Sequence, residues 1–457
     1  MAQTAHSHAR ALERKVAEGK KRRETLPRER HGPWKAHPRR DPTQILETSN
    51  QGRLHRLLPI RYGRMAQSPF AFFRGAAAIM AADLSRTPTT GFEAQLCGDC
   101  HLLNFGAFAT PERRMIFAIN DFDETLRGPW EWDLKRLVAS FVIASRHNAF
   151  SKPQAREIAL ACARSYRKRL REFSEMRVLQ LWYSSLDVQT LAEMIDDRES
   201  QLRLKRRVAK VVSRDVVEDD YPLLAKYSGG RHRIRDNPPL IFHPRIQEHP
   251  GFQSVVQEAF KQYRLSLLPE RRFLLDRYTM QDIAMKVVGV GSVGTWCGIL
   301  LMMAGDEDPL FLQVKEARPS VLERYLKKSP FPCHGQRVVM GQRLMQSASD
   351  IFLGWTQVKN GRHFYIRQLR DMKLKPRVEI YRPSELQRYA KFCGLALARA
   401  HARSSFDAAG ISAYLGKGDT MDQALANFAE SYADQNERDH QALLEAIRMG
   451  KIEAYFE

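Results

Sequence analysis

The stretch "IAMKVVGVGSVGTWCGILLMMAGDEDPLFLQVKEA", Ile283 to Ala317, carries the fold assignment. Three β-type runs lie in it, joined first by glycines and then by an acidic turn. Gly289, Gly291 and Gly294 make G-x-G-x-x-G, a spacing that also opens dinucleotide folds and is weak alone. A dinucleotide fold needs a helix directly after the glycines and an acid about 20 residues further on. Here the apolar, β-favouring run "TWCGILLMM" follows, and then another strand. A glycine loop between two strands lets backbone N–H groups approach an anion without side chains in the way. The third run ends "FLQVKEA", with Lys315 inside otherwise apolar sequence, where an unpaired ammonium is expensive to bury. A phosphate partner offsets that cost.

Downstream, helices are predicted around "SVLERYLKK" and "GQRVVMGQRLMQSAS". "IFLGWTQV" and "RHFYIRQL" then form a hairpin across "KNG", whose Asn-Gly favours a tight turn. Helices at "PSELQRYAKFCGLALARAHARSS" and "TMDQALANFAESYADQNERDHQALLEAIRMG" finish the chain. From "PWEWDLKRLVASF" to about Leu268 the pattern is helical, interrupted by a loop at "KYSGGRHRIRDNPPLIFHP".

Two acid blocks come early. "CGDCHLLNFG" (Cys97–Gly106) follows the β-type run "QLC", and "INDFDE" (Ile119–Glu124) ends the run "MIFAI". Short strands delivering polar residues at their ends suit an active-site loop, although Asp and Asn also favour plain turns and caps. Asp99 and Asn104 are spaced D-x-x-x-x-N, and Asp121 and Asp123 add the hard oxygens that Mg²⁺ prefers.

These blocks resemble the protein kinases, and "GDCHLLN" is closer still to the aminoglycoside and choline kinase branch, whose loop reads H-G-D-x-H-x-x-N. The resemblance covers roughly 95–146 and 283–405. It implies an α+β, protein-kinase-like two-lobe fold, with a small antiparallel β lobe and a large helical lobe. It also implies an ATP- and Mg²⁺-dependent phosphotransferase. Asp99 would be the catalytic aspartate, with His101 shaping the loop. Gly289, Gly291, Gly294 and Lys315 would hold the nucleotide, with Glu323 as partner of Lys315 and Glu316 as the alternative. Asn104 and Asp121 would hold the metal, Asp123 being a second acid ligand, and Asp133 in "GPWEWDLKRL" matches the aspartate-leucine that follows. Cys97 departs from the histidine of the pattern and "DFD" from D-F-G, which leaves a pseudokinase or a nucleotidyl transferase as alternatives. The motif order is reversed, with acids before glycines. A circular permutation accounts for it if the helix "LQRYAKFCGLALARAHARSS" ends beside the strand entering Asp99. The blocks "SPFAFFRGAA", "CGDCHLLNFG", "INDFDE" and "FLQVKEARPS" also look like an uncharacterised bacterial family carrying a domain-of-unknown-function label.

The division expected is a basic, disordered tail (1–45), a helical part with the acid loops (46–277), the β lobe (278–372) and a closing helical segment (373–457). Net charge is +21, which attracts nucleic acid, anionic lipid or phosphorylated substrates. A weak nucleic-acid or acidic-partner contact is expected through the tail, with an unknown small molecule or protein as phosphoryl acceptor. A purely nucleic-acid-binding role finds no zinc-finger spacing or aromatic RNA-binding signature. The D-x-H of "GDCH" also begins two-metal phosphoesterase sites, but the further ligand blocks of that class are missing. Six scattered cysteines do not make a disulfide scaffold, and Cys97-x-x-Cys100 has no second pair to complete a zinc site. No apolar run reaches the roughly 18 residues of a membrane span. The polar N-terminus is no secretory signal, so a cytoplasmic protein is expected.

Overall fold

The computed structural model describes residues 2–213, 216–244, 251–287, 289–369 and 372–456. Thirteen strands are found among them: β1 (Glu93–Leu96), β2 (Phe105–Ala109), β3 (Met115–Ile119), β4 (Leu126–Pro129), β5 (Ala225–Ser228), β6 (Arg231–Ile234), β7 (Ile241–Phe242), β8 (Thr279–Lys286), β9 (Cys297–Ala304), β10 (Asp308–Ala317), β11 (Gly354–Gln357), β12 (His363–Gln368) and β13 (Lys373–Leu374). The fold is mixed α+β with several antiparallel sheets.

The largest sheet runs β11-β12-β10-β9-β8-β7, antiparallel at every pairing. Its central strands are apolar without alternation because both faces are covered. Leu300, Leu312, Val314 and Ile366 pack on one side with Phe252, Val256 and Tyr263, from the helix Phe252–Tyr263. Ile299, Leu301, Met303 and Phe311 pack on the other with Leu224, Ala225 and Ile234. Between β10 and β11 the helix His334–Met345 crosses the sheet.

The second body is built on helices. Every residue from Trp130 to Ser145 is buried in the helix Trp130–His147, its second half apolar and its first half carrying the buried charges Glu131, Asp133, Lys135 and Arg136. Lys152–Ser174, started by a Ser151/Gln154 capping box, packs beside it, with Pro383–Ser404 and Thr420–Arg448. Their shared core reaches from Phe70 to Ala433 in sequence. Two small sheets, β1-β4 and β13-β2-β3, sit in this body and carry the acid blocks. Pro383–Ser404 ends beside β1, where Ser405 Oγ donates to the Glu93 carbonyl at 2.6 Å. No helix among the described residues is long and apolar enough to cross a membrane.

Four expectations change. The basic leader is not disordered: Ala2–Thr25 is helical. Lys15 pairs with Asp407, Arg23 Nε donates to Tyr414 O at 2.8 Å and Arg28 to Leu415 O at 2.8 Å. Arg23 and Arg28 meet the carbonyl end of the helix Ala408–Leu415, where the dipole favours them, while Lys15 meets its N-cap, Asp407. "SVLERYLKK" forms only the short turn Val321–Arg324, started by Ser320. "KYSGGRHRI" is a hairpin, β5–β6, not a loop. β2 and β4 are strands that the sequence reading did not mark.

Candidate functional site

Gly98 adopts φ +84°, a conformation glycine enters without strain, and this turns the chain out of β1 into Asp99. Asp133, in the first turn of its helix, accepts the N–H of Cys97 at 2.7 Å and of Gly98 at 3.0 Å. The loop then closes on itself. His101 N–H donates to Asp99 O at 2.9 Å and Asn104 N–H to His101 O at 2.8 Å. Asn104 Nδ2 donates to the same Asp99 carbonyl at 2.6 Å. An amide whose NH₂ is fixed has its Oδ1 fixed too, here as an acceptor left over.

The Asp99 carboxylate takes Arg136 Nε at 2.8 Å on Oδ1, with Arg136 Nη2 on the same oxygen and on Phe73 O at 3.0 Å. Burial pushes Asp99 above the usual carboxylate range, with Arg136 opposing. His101 Nε2 stands 3.9 Å from Asp99 Oδ2. Burial, then Arg136 and Arg74, hold the ring well below its usual value, so it is neutral.

Asn120 N–H donates to Asn104 O at 2.8 Å, which sets the second acid block against the first. Asp123 N–H donates to Asp121 Oδ1 at 3.2 Å. Burial, then the charge of Asp123, push Asp121 up. Asp123 goes the other way. Burial opposes it, but the Lys315 ammonium and the hydrogen bonds from Lys315 and Tyr365 hold it below the usual range.

Three donors from the large sheet meet at Asp123: Lys315 Nζ on β10, Tyr365 OH on β12 at 2.7 Å, and Ser292 Oγ of the glycine loop at 3.1 Å. Lys315 and Tyr365 are register partners, so one pair of strands presents both groups. Lys315 is 3 % exposed, and Asp121 and Asp123 outweigh its burial to keep it charged. The glycine loop is braced from outside. Leu54 N–H donates to Gly294 O at 2.8 Å, Arg53 Nη1 to Val293 O at 2.6 Å and Arg64 Nη1 to Gly289 O at 2.7 Å.

The structure therefore brings Asp99, His101, Asn104, Asp121, Asp123, Lys315 and the loop of Gly289, Gly291 and Gly294 to one place. It does not pair Glu323 with Lys315: Glu323 lies 4.0 Å from Nε of Arg337, whose Nη2 donates to Asp123 O at 2.8 Å. Nor does Glu316 serve, since it takes Trp296 N–H at 3.0 Å and Arg362 Nη1 at 2.6 Å. Asp123, expected as a second metal ligand, is also the partner of Lys315. Both of its oxygens accept hydrogen bonds, from Lys315, Tyr365 and Ser292.

Arg53, Arg74, Arg136, Ser292 and Tyr365 were not singled out from sequence. Arg74 carries a signal of the same kind as Lys315, a cation inside the apolar run "SPFAFFRGAA". Among the described residues Cys97, Cys100 and Asp133 are the grouping with metal-ligand spacing. Asp133 is committed to two backbone N–H groups, and burial pushes the Cys97 thiol up and Cys100 up to about 12. Both thiols therefore stay protonated and fill core space.

Over residues 53–446 the chain matches the family described as uncharacterized protein conserved in bacteria (DUF2252), and it belongs to that family. The matched span holds both acid blocks and the glycine loop and excludes the helix Ala2–Thr25. No curated protein and no solved structure matches the chain.

Proposed function

We propose that the chain is an ATP- and Mg²⁺-dependent phosphotransferase of protein-kinase-like architecture, with its acid half placed before its glycine half. The observation that carries the reading is the ion pair of Lys315 with Asp123 across 192 residues of sequence. It joins a glycine-loop sheet to an acid loop in one site. Further support comes from topology. The strands β8, β9, β10, β12 and β11 are neighbours in that order, and a helix stands between β10 and β11. This is the three-strand, helix, two-strand plan expected of a kinase small lobe. The end of Pro383–Ser404 beside β1 is where a permuted chain would reconnect.

The donor set fits the implied ligands. Asn104 Oδ1 and the Asp121 carboxylate are hard oxygens of the kind Mg²⁺ takes. Lys315 and the glycine-loop N–H groups offer an anion site whose cation is already desolvated. A bound nucleotide and its metal would supply the transferable phosphoryl group and neutralise its charge. Asp99 would orient an acceptor hydroxyl and take its proton at Oδ2, since Oδ1 is occupied by Arg136. Asp133 and Gly98 would keep Asp99 in place, and preorganisation of this kind supplies most of the catalysis in such sites.

The test is a thermal-shift series with ATP, GTP and Mg²⁺ on wild type, K315A and D99N. A nucleotide- and Mg²⁺-dependent rise in Tm is expected in wild type and D99N and not in K315A. Turnover of ATP is expected to vanish in D99N. An equal rise in wild type and K315A, or none in wild type, overturns the reading.

A further inference from the structure

The helix Pro69–Gly75 lies against the first acid block, where Phe73 O accepts from Arg136, and Arg74 near its end is close enough for its charge to act on Asp99 and His101. Among the described residues the Arg74 guanidinium has no hydrogen-bond or ion-pair partner, and its Nε is sealed from solvent. A half-buried cation with no partner and a sealed Nε adds little to folding, so its retention points to a use other than stability. Its surroundings say what. The Arg74 carbonyl lies 3.6 Å from where a side chain on Gly291 would start, so this residue abuts the glycine loop. On its other side burial holds the Arg74 guanidinium below its usual value, with the Asp99 carboxylate and then Glu379 opposing and Arg64 adding to the lowering. Arg136 cannot substitute for it, because both its Nε and Nη2 are engaged by Asp99.

We propose that Arg74 is an anion-binding residue of this site, placed between the glycine loop and Asp99 to take the terminal phosphate of a nucleoside triphosphate. The inference rests on the phosphotransferase reading and deepens it. Lys315, tied to Asp123, marks one side of the anion site, and Arg74, untied, marks the side facing the acceptor. A guanidinium can place two N–H donors on one phosphate, which an ammonium cannot. Its role is thus discrimination of triphosphate from diphosphate rather than general nucleotide affinity.

The experiment compares Tm rises with Mg²⁺ and either ADP or a non-hydrolysable ATP analogue in wild type, R74M, R74K and K315A. The wild type is expected to rise further with the triphosphate analogue than with ADP. R74M is expected to rise equally with both, R74K to recover part of the difference, and K315A to respond to neither. Without nucleotide, R74M should melt at or near the wild-type temperature, because it removes an unpaired, half-buried charge. A wild-type preference for the triphosphate preserved in R74M overturns the inference, as does an R74M apo Tm lower by more than about 5 °C. No nucleotide response in the wild type would instead defeat the phosphotransferase reading itself, whatever Arg74 does.

Discussion

Asp99 points into the site only because Gly98 lets it. A β-carbon at Gly98 would run into the backbone carbonyl of Glu124, and the φ of +84° is strained for any other residue. G98A is therefore expected to cost roughly 2–4 kcal/mol in urea unfolding, the joint penalty of strain and a displaced loop. A variant within about 0.5 kcal/mol of wild type would show that the turn has slack the structure does not display. Titration offers a second handle. His243 bridges Asp236 at 2.8 Å and Asp282 of β8 at 2.9 Å. The hydrogen bond to Asp282 raises its pKa against an opposing burial. A raised folded value stabilises the protein fully below the unfolded pKa of about 6.5 and loses that contribution as pH climbs through the raised value. H243N should therefore be less stable than wild type by about 1 kcal/mol near pH 6, with the gap closing near pH 9. A pH-independent gap would mean the ring acts by packing, not charge. Apart from the loop glycines, the site residues that sequence exposed share one property: each is a polar or charged group in a run that ought to be apolar or plain turn. Glu323 was misplaced for the complementary reason, since nothing in a sequence says which of several acids faces a given lysine. In the fold the nearest one came from "NDFDE", not from the strand's own neighbourhood.

Elements that bury both faces or repeat a period were legible, and those stabilised by local circumstance were not. β9 and β10 are continuous apolar runs of strand length bounded by turns, and Pro383–Ser404 and Thr420–Arg448 keep a helical period for many turns. The hairpin β5–β6 has neither. Its residues are mostly exposed, as Tyr227 at 65 % shows, and it is held by backbone pairing and by Leu224, Ala225 and Ile234 beneath it. The N-terminal helix misled in the opposite direction. Its dense basic charge suits a solvated tail, yet Arg23 and Arg28 find the carbonyl end of Ala408–Leu415 and Lys15 finds Asp407 at its start. That docking depends on close approach at Gly19, where a β-carbon would meet the Gly410 carbonyl. G19L is expected to release the helix, so limited proteolysis should clip residues 2–25 much faster while the rest of the chain keeps its melting temperature within about 2 °C. Unchanged protection would mean that Lys15, Arg23 and Arg28 hold the helix without the glycine contact.

At the scale of the whole molecule, the site exists because two halves of the chain interlock in one main core that neither supplies alone. The main core takes Phe70 to Val211 from the first half and Ala317 to Ala433 from the second. The face of the large sheet covered by Leu224 and Ala225 joins them again. The ion pair of Asp123 with Lys315 crosses the same divide, and so does Ser405 on Glu93. The covalent link between the halves passes through the exposed turn Gly229–Gly230, where an added side chain would meet nothing within 4 Å. A protease site inserted there should be cut readily without disturbing a buried contact, since exposed loop tips are where nicking is tolerated. After cutting, denaturing gels should show two fragments, while native size-exclusion returns a single species at the intact elution volume. The noncovalent contacts between fragments are those of a domain interior rather than of a docking surface, so the nicked form should also keep any nucleotide-dependent rise in Tm. Fragments that separate under native conditions would show that the halves fold as independent units. In that case Lys315 and Asp123 meet across an interface that opens, and the site would be assembled by closure rather than built into the core.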